Sequence, residues 1–131
     1  MQIARNQAFI TGVIAVIAFD TVASIASRAT DIPYFWATFG SWIVYIGIGY
    51  FAARINPESP LRVAAITGLI SGLADASLGW AVSWAIGPGR VAGGITATQW
   101  LLTAAFVVGF ATGFAALGGS FARMQASRPA R

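Results

Sequence analysis

The sequence predicts an all-α protein, a bundle of four transmembrane helices. Three observations lead there. Four apolar stretches run from Gln7 to Ser27, Tyr34 to Ala53, Val63 to Ile86 and Thr98 to Phe121. Each is long enough, at 1.5 Å per residue, to cross a hydrocarbon core of about 30 Å. Charged residues are only 9% of the chain and hydrophobic ones 57%, against about 25% charged in an ordinary soluble domain. The breaks between the stretches are short, polar and marked by Pro or Gly. A surface this poor in charge suits lipid, so the 131 residues are expected to form one polytopic membrane domain.

The first span, Gln7 to Ser27, has Asp20 as its one charge. Arg5, the apolar run Ala8 to Phe19 and the tripeptide Ser24-Ile25-Ala26 loosely fit an export signal. Apolar character continues to Ala26, however, which favours a retained helix. Arg28 to Pro33 is a polar turn, and Pro33 suits the first position of the next helix. The second span, Tyr34 to Ala53, is stopped by the loop holding Arg54, Pro57, Glu58, Pro60 and Arg62. The third, Val63 to Ile86, carries Asp75 near its middle and Gly68, Gly72 and Gly79 along its length. Gly87-Pro88-Gly89-Arg90 ends it, and Gly93-Gly94 precede the fourth span, Thr98 to Phe121. Ala122 to Arg131 reads as a basic tail.

An even number of spans puts both ends on one side. The N-terminal segment, the second loop and the tail hold Arg5, Arg54, Arg62, Arg123, Arg128 and Arg131, while the other two loops hold only Arg28 and Arg90. That asymmetry places both termini in the cytoplasm of a bacterial inner membrane by the positive-inside rule. An internal match suggests a tandem two-helix repeat. Ile10-Thr11-Gly12-Val13-Ile14 returns as Ile66-Thr67-Gly68-Leu69-Ile70, with Asp20 and Asp75 at similar offsets. Such a repeat would relate the halves by an axis along the membrane normal. Chance is the competing reading, since Gly, Ala and Ile are abundant.

Composition excludes much chemistry. There is no Cys, no His and no Lys. Thiolate and cysteine-metal sites, the commonest general base and the usual haem ligand are therefore missing. No enzyme activity, cofactor, metal or nucleic-acid partner is expected. The arginines sit near span ends and report orientation.

What remains is Asp20 and Asp75, both slightly past mid-membrane at similar depth. An acid there costs about 2.5–3.5 kcal/mol on insertion scales. It must face the bundle interior, take a proton, or find a partner, and no Arg lies mid-span to supply one. Hydroxyls of Thr21, Ser71 and Tyr45 are the foremost candidate donors, so these five residues form the candidate proton, cation or packing site. Hydroxyl bonds that merely lock helices together are an equal alternative. Gly68 and Gly72 in the third span, and Gly109 and Gly113 in the fourth, are small-xxx-small pairs that allow helices to cross closely. Tyr34, Trp36, Trp80, Trp84 and Trp100 fall at the outer ends, as an interfacial belt would. An aromatic-lined vestibule above the two acids is the alternative. Phe106, Phe110 and Phe114 recur every four residues as a lipid-facing or core ridge.

The stretch from Gly47 to Arg54, a proline-containing turn, and Ala64 to Gly72 together resemble the middle of small bacterial four-helix integral membrane proteins. The resemblance covers about a quarter of the chain. It implies a packing pattern and no activity. Two functions follow from the residues. One is a non-enzymatic accessory or homo-oligomerising subunit of a membrane complex, with lipid as its surroundings. The other is a proton- or cation-linked channel or transporter built on Asp20 and Asp75.

Overall fold

The computed structural model describes residues 2–127. Every regular element in it is helical. Four helices follow in order, each long and apolar enough to cross a membrane: α1, Gln2–Thr30; α2, Tyr34–Arg54; α3, Pro60–Ile86; and α4, Ala97–Ala126. The helices outrun the apolar spans read from the sequence. Arg5 and Arg123 lie on helical turns at the terminal end, where long basic side chains can reach headgroups while the backbone stays helical. The expected tail is accordingly helix as far as Ala126. Arg128 and Arg131, counted in the charge asymmetry, lie outside the described residues.

Local chemistry sets the helix ends. Pro60 occupies the first turn of α3, where its missing N–H is not needed. Thr96 and Gln99 form a reciprocal capping box at the start of α4. The Gln99 N–H donates to Thr96 Oγ1 at 3.2 Å, and the Thr96 N–H donates to Gln99 Oε1 at 2.9 Å, which satisfies two otherwise orphaned groups. α2 opens with a 3₁₀ turn, Tyr34–Trp36, before becoming α-helical at Ala37. α3 is interrupted by a π-helical turn, Asp75–Gly79, and resumes as an α-helix from Trp80.

α2 and α3 form the middle of the bundle. α4 packs on both from one side and α1 on both from the other, and among the described residues no Cα atom of α1 comes within 8 Å of one in α4. The two acids of the internal match thus face each other across α1 and α3, although the α1–α4 and α2–α3 pairings are not equivalent.

The bundle is tight at the end bearing the termini and open at the other. In α4 the buried residues are Ala111, Ala115, Gly118, Gly119 and Ala122, all in its second half. In α2 they run from Tyr45 to Ala53, again the half nearer the termini. Gly49 lies against the Ala115 backbone, and a Cβ added at Gly118 would sit 2.8 Å from the Tyr50 nitrogen. Small residues therefore let α2 and α4 meet backbone to backbone there. Toward the opposite end bulky rings replace them. Trp42 of α2 stacks on Phe110 and Phe114 of α4 at centroid distances of 6.0 and 5.2 Å, which holds the two helices apart. α1 and α3, by contrast, bury residues along their whole length, from Ala8 to Ser24 and from Val63 to Ser83. Arg28 closes their far end by donating from Nη1 to the Ile86 carbonyl at 2.8 Å.

The glycine expectation holds for α3 and needs correction for α4. A Cβ at Gly68 would lie 2.6 Å from the Ala115 Cβ, and one at Gly72 would lie 2.8 Å from the Ala111 Cβ. Gly109 and Gly113 meet nothing within 4 Å. The face of α4 that enters the bundle follows the spacing Ala111, Ala115, Gly118, Ala122, with steps of four, three and four. That alternation is the heptad-like period of a left-handed crossing. Gly109 and Gly113 belong to an unbroken four-residue stripe, which winds away to the outside.

Candidate functional site

The splay of α2 from α4 leaves a cavity of about 200 Å³ in the half of the bundle away from the termini. All four helices contribute to it. Asp20 comes from α1, Tyr34 and Tyr45 from α2, Asp75 from α3 and Phe106 from α4. Asp20 is only 5% exposed, and Asp75 is half-buried.

The two acids converge on the backbone of Gly79. A Cβ placed there would lie 3.1 Å from Asp75 Oδ1 and would collide with Asp20 Oδ2. The π turn contributes to this. Such a turn closes i→i+5 hydrogen bonds and takes in one residue more than an α turn, and π turns occur often at functional sites. Asp75 opens the turn and Gly79 closes it. The turn displays a carboxylate at one end and offers a side-chain-free backbone at the other, where the carboxylate of α1 fits.

Each acid has one phenol. The Tyr45 hydroxyl donates to Asp75 Oδ2, and the Tyr34 hydroxyl donates to Asp20 Oδ1 at 3.3 Å. Asp20 Oδ2 is buried and has no hydrogen-bond partner among the described residues. No described Arg lines the cavity, and the chain has no Lys or His. Two carboxylates and two phenols therefore share a membrane-embedded space with no basic side chain among them. Like charges in low dielectric oppose each other strongly. Double ionisation of this pair is disfavoured, so the site calls for protons or another cation.

Of the five residues expected at the site, Asp20, Asp75 and Tyr45 come together. Thr21 and Ser71 do not, which corrects that expectation. Thr21 Oγ1 donates to the Ile17 carbonyl of its own helix at 2.7 Å, a common way for a hydroxyl in a helix to satisfy itself. Ser71 is fully buried where α3 crosses α1, and a Cβ at Gly12 would sit 2.5 Å from its Oγ. Its role is steric. Tyr34, which the sequence assigns to the aromatic belt, instead bonds an acid. Gly79 stands out in the sequence only as a small residue. The position of Tyr34 at the very start of α2 argues against the site, and only the inward path of its 3₁₀ turn reverses that.

The outer tryptophans divide. Trp36, Trp84 and Trp100 are 61%, 44% and 40% exposed, in keeping with an interfacial belt. Trp80 is half-buried and lines the acid cavity. It also borders an open cleft of about 910 Å³ formed with Trp84, Trp100 and Arg90, so this one ring separates the two spaces. The phenylalanine ridge of α4 is a cavity wall as well as an outer face, since Phe106 and Phe110 both line the acid cavity.

Removing one phenol tests the coupling between donors and acids. Tyr45→Phe keeps the ring and deletes the donor to Asp75. The protein is expected to lose about 1–3 kcal/mol of stability, the worth of a hydrogen bond to a charged group. Thermal unfolding of the variant and the wild type in detergent checks this.

Among the described residues no group of three or more His, Cys, Asp or Glu side chains is placed to hold a metal ion. Comparisons with protein-family models, with curated proteins and with solved structures find no match for this chain.

Proposed function

We propose that the protein is a small integral membrane protein that moves protons, or exchanges them for another cation, through the paired carboxylates Asp20 and Asp75. One observation carries the reading. Two acids from different helices meet in a cavity at membrane depth with no described basic side chain beside them. Acids retained inside a membrane mark ion pathways and proton relays more often than scaffolding. Pure packing would be served by separate acids, each saturated by hydroxyls, whereas these two carboxylates meet each other at Gly79. No covalent chemistry is assigned, and the reading is of a non-enzyme. The basic terminal end, with Arg54, Arg62 and Arg123 around one depression, supports a cytoplasmic placement of that end.

The test is an acid pulse applied to proteoliposomes loaded with a pH-sensitive dye. Internal acidification faster than in protein-free vesicles is expected. Equal rates, with and without a membrane potential, would sink the reading.

A second reading is association of copies, and a different observation favours it. Gly109 and Gly113 form a small-residue stripe on α4 that no described residue covers, and such stripes permit close helix dimers in lipid. Gly113→Leu should then lower the yield of cross-linked dimer in native membranes several-fold while leaving the melting temperature of the single bundle unchanged. A wild-type protein that never cross-links removes this reading.

A further inference from the structure

We propose that the acid cavity binds one small organic monocation of the alkylammonium class and releases one proton when it does so. This rests on the carboxylate-pair reading above and narrows it to a ligand.

The charge balance comes first. The cavity holds two carboxylates and no described basic side chain. With two protons it is neutral, and with one proton it carries a single negative charge. A monocation restores neutrality in the second state, so cation and proton are alternatives at nearly equal electrostatic cost. A divalent ion would need both protons displaced. It would also need several oxygen ligands, about six to eight for calcium.

Oxygens for such a shell are few. Beyond the two acids and their phenols, the hydroxyls on the described wall are those of Thr38, Ser41 and Thr103. Ser41 Oγ and Thr103 Oγ1 are each held toward their own helix, donating to the Thr38 carbonyl at 2.8 Å and the Gln99 carbonyl at 2.9 Å. Much of the remaining wall is aromatic: Phe19, Tyr34, Trp42, Trp80, Phe106 and Phe110. Ring faces replace the hydration of a soft alkylammonium far better than that of a small hard ion.

Size and anchoring agree. A cavity of about 200 Å³ is smaller than the roughly 300–1,000 Å³ of pockets for drug-sized ligands, which limits the guest to a few heavy atoms. The anchor is the carboxylate pair, since Asp20 and Asp75 both line the cavity. The cavity lies in the half of the bundle away from the termini, where α2 and α4 diverge.

The experiment uses the purified full chain in mild detergent with tetramethylammonium chloride as the probe. Sodium and potassium chloride at equal ionic strength are the comparison. Proton release into weakly buffered solution and tryptophan fluorescence are followed together. About one proton released per tetramethylammonium bound is expected, with no matching response to sodium or potassium. Asp20→Asn and Asp75→Asn should each weaken the response at least tenfold. Phe106→Leu, at a position 59% exposed where the fold does not depend on the ring, should weaken it about two- to fivefold through the lost cation–ring attraction. Tetrabutylammonium should not compete. An equal response to sodium would overturn the organic-cation assignment. So would silence toward every cation in a protein that still passes protons in the acid-pulse assay, and in that case the carboxylate-pair reading survives. Silence in both assays overturns both.

Discussion

Proteoliposomes made with the double variant Asp20→Asn, Asp75→Asn are expected to acidify at least tenfold more slowly than wild type, close to protein-free vesicles. The variant bundle should melt at an equal or higher temperature. The two halves of this result belong together. Asparagine keeps the shape of aspartate and cannot take up or release a proton at any accessible pH. If the carboxylates carry the proton, no other group in the cavity replaces them, because the chain has no His or Lys and no described Arg lines that space. Stability should move the other way. Two acids in apolar surroundings are each expensive, and Asp20 Oδ2 lacks a partner. The amide introduced at position 20 can donate toward the one at position 75, so the like-charge contact becomes a hydrogen bond. Functional sites often hold such locally unfavourable arrangements, and relieving them stabilises at the expense of activity. The melting measurement also keeps the flux result interpretable. A variant that melts normally and still conducts removes the carboxylates from the mechanism.

Gly118→Leu is expected to have the largest effect on the fold. The added Cβ would press on the Ile46 carbonyl and lie 2.8 Å from the Tyr50 nitrogen. Both are backbone atoms of α2, so no rotamer change relieves the contact and the helices must separate. Overpacking of this kind costs about 1–3 kcal/mol and occasionally more. Separation would also loosen the nearby Gly49–Ala115 contact, so the upper end of that range is expected. Gly113→Leu, five residues earlier on the same helix, points into open space and should leave the melting temperature of the bundle unchanged. Thermal unfolding of the two variants side by side in detergent checks the contrast. Equal melting of both would mean that α2 and α4 do not meet where described.

These contrasts show how far the sequence can be read. The four spans are plain because apolar runs and proline breaks act locally. Their ends are harder to read because backbone hydrogen bonding continues after hydrophobicity stops, as at Arg5 and Arg123. The two acids are legible from cost alone, and the hydroxyl of Tyr45 from its depth. The face of α4 is not, because Gly109 and Gly113 fit a packing stripe as well as Gly118 and Gly119 do. The choice depends on the direction from which α2 and α3 approach, which no short stretch of sequence encodes. The π turn at Asp75–Gly79 likewise has no composition signal. Gly79 permits it, and the arrival of Asp20 from α1 occupies the space it provides.

That turn makes α3 separable into two parts with different duties. The wider turn absorbs one residue more than an α turn does, so shortening the stretch 76–78 by one residue would restore ordinary winding while Trp80–Ile86 keeps nearly its present facing. The portion Pro60–Ala74, with its glycine contacts to α4, would keep its seat as well. What would change is the spacing between the carboxylate of Asp75 and the bare backbone of Gly79 on which Asp20 rests. A single deletion therefore offers a way to alter the meeting point of the two acids while both halves of the helix stay assembled.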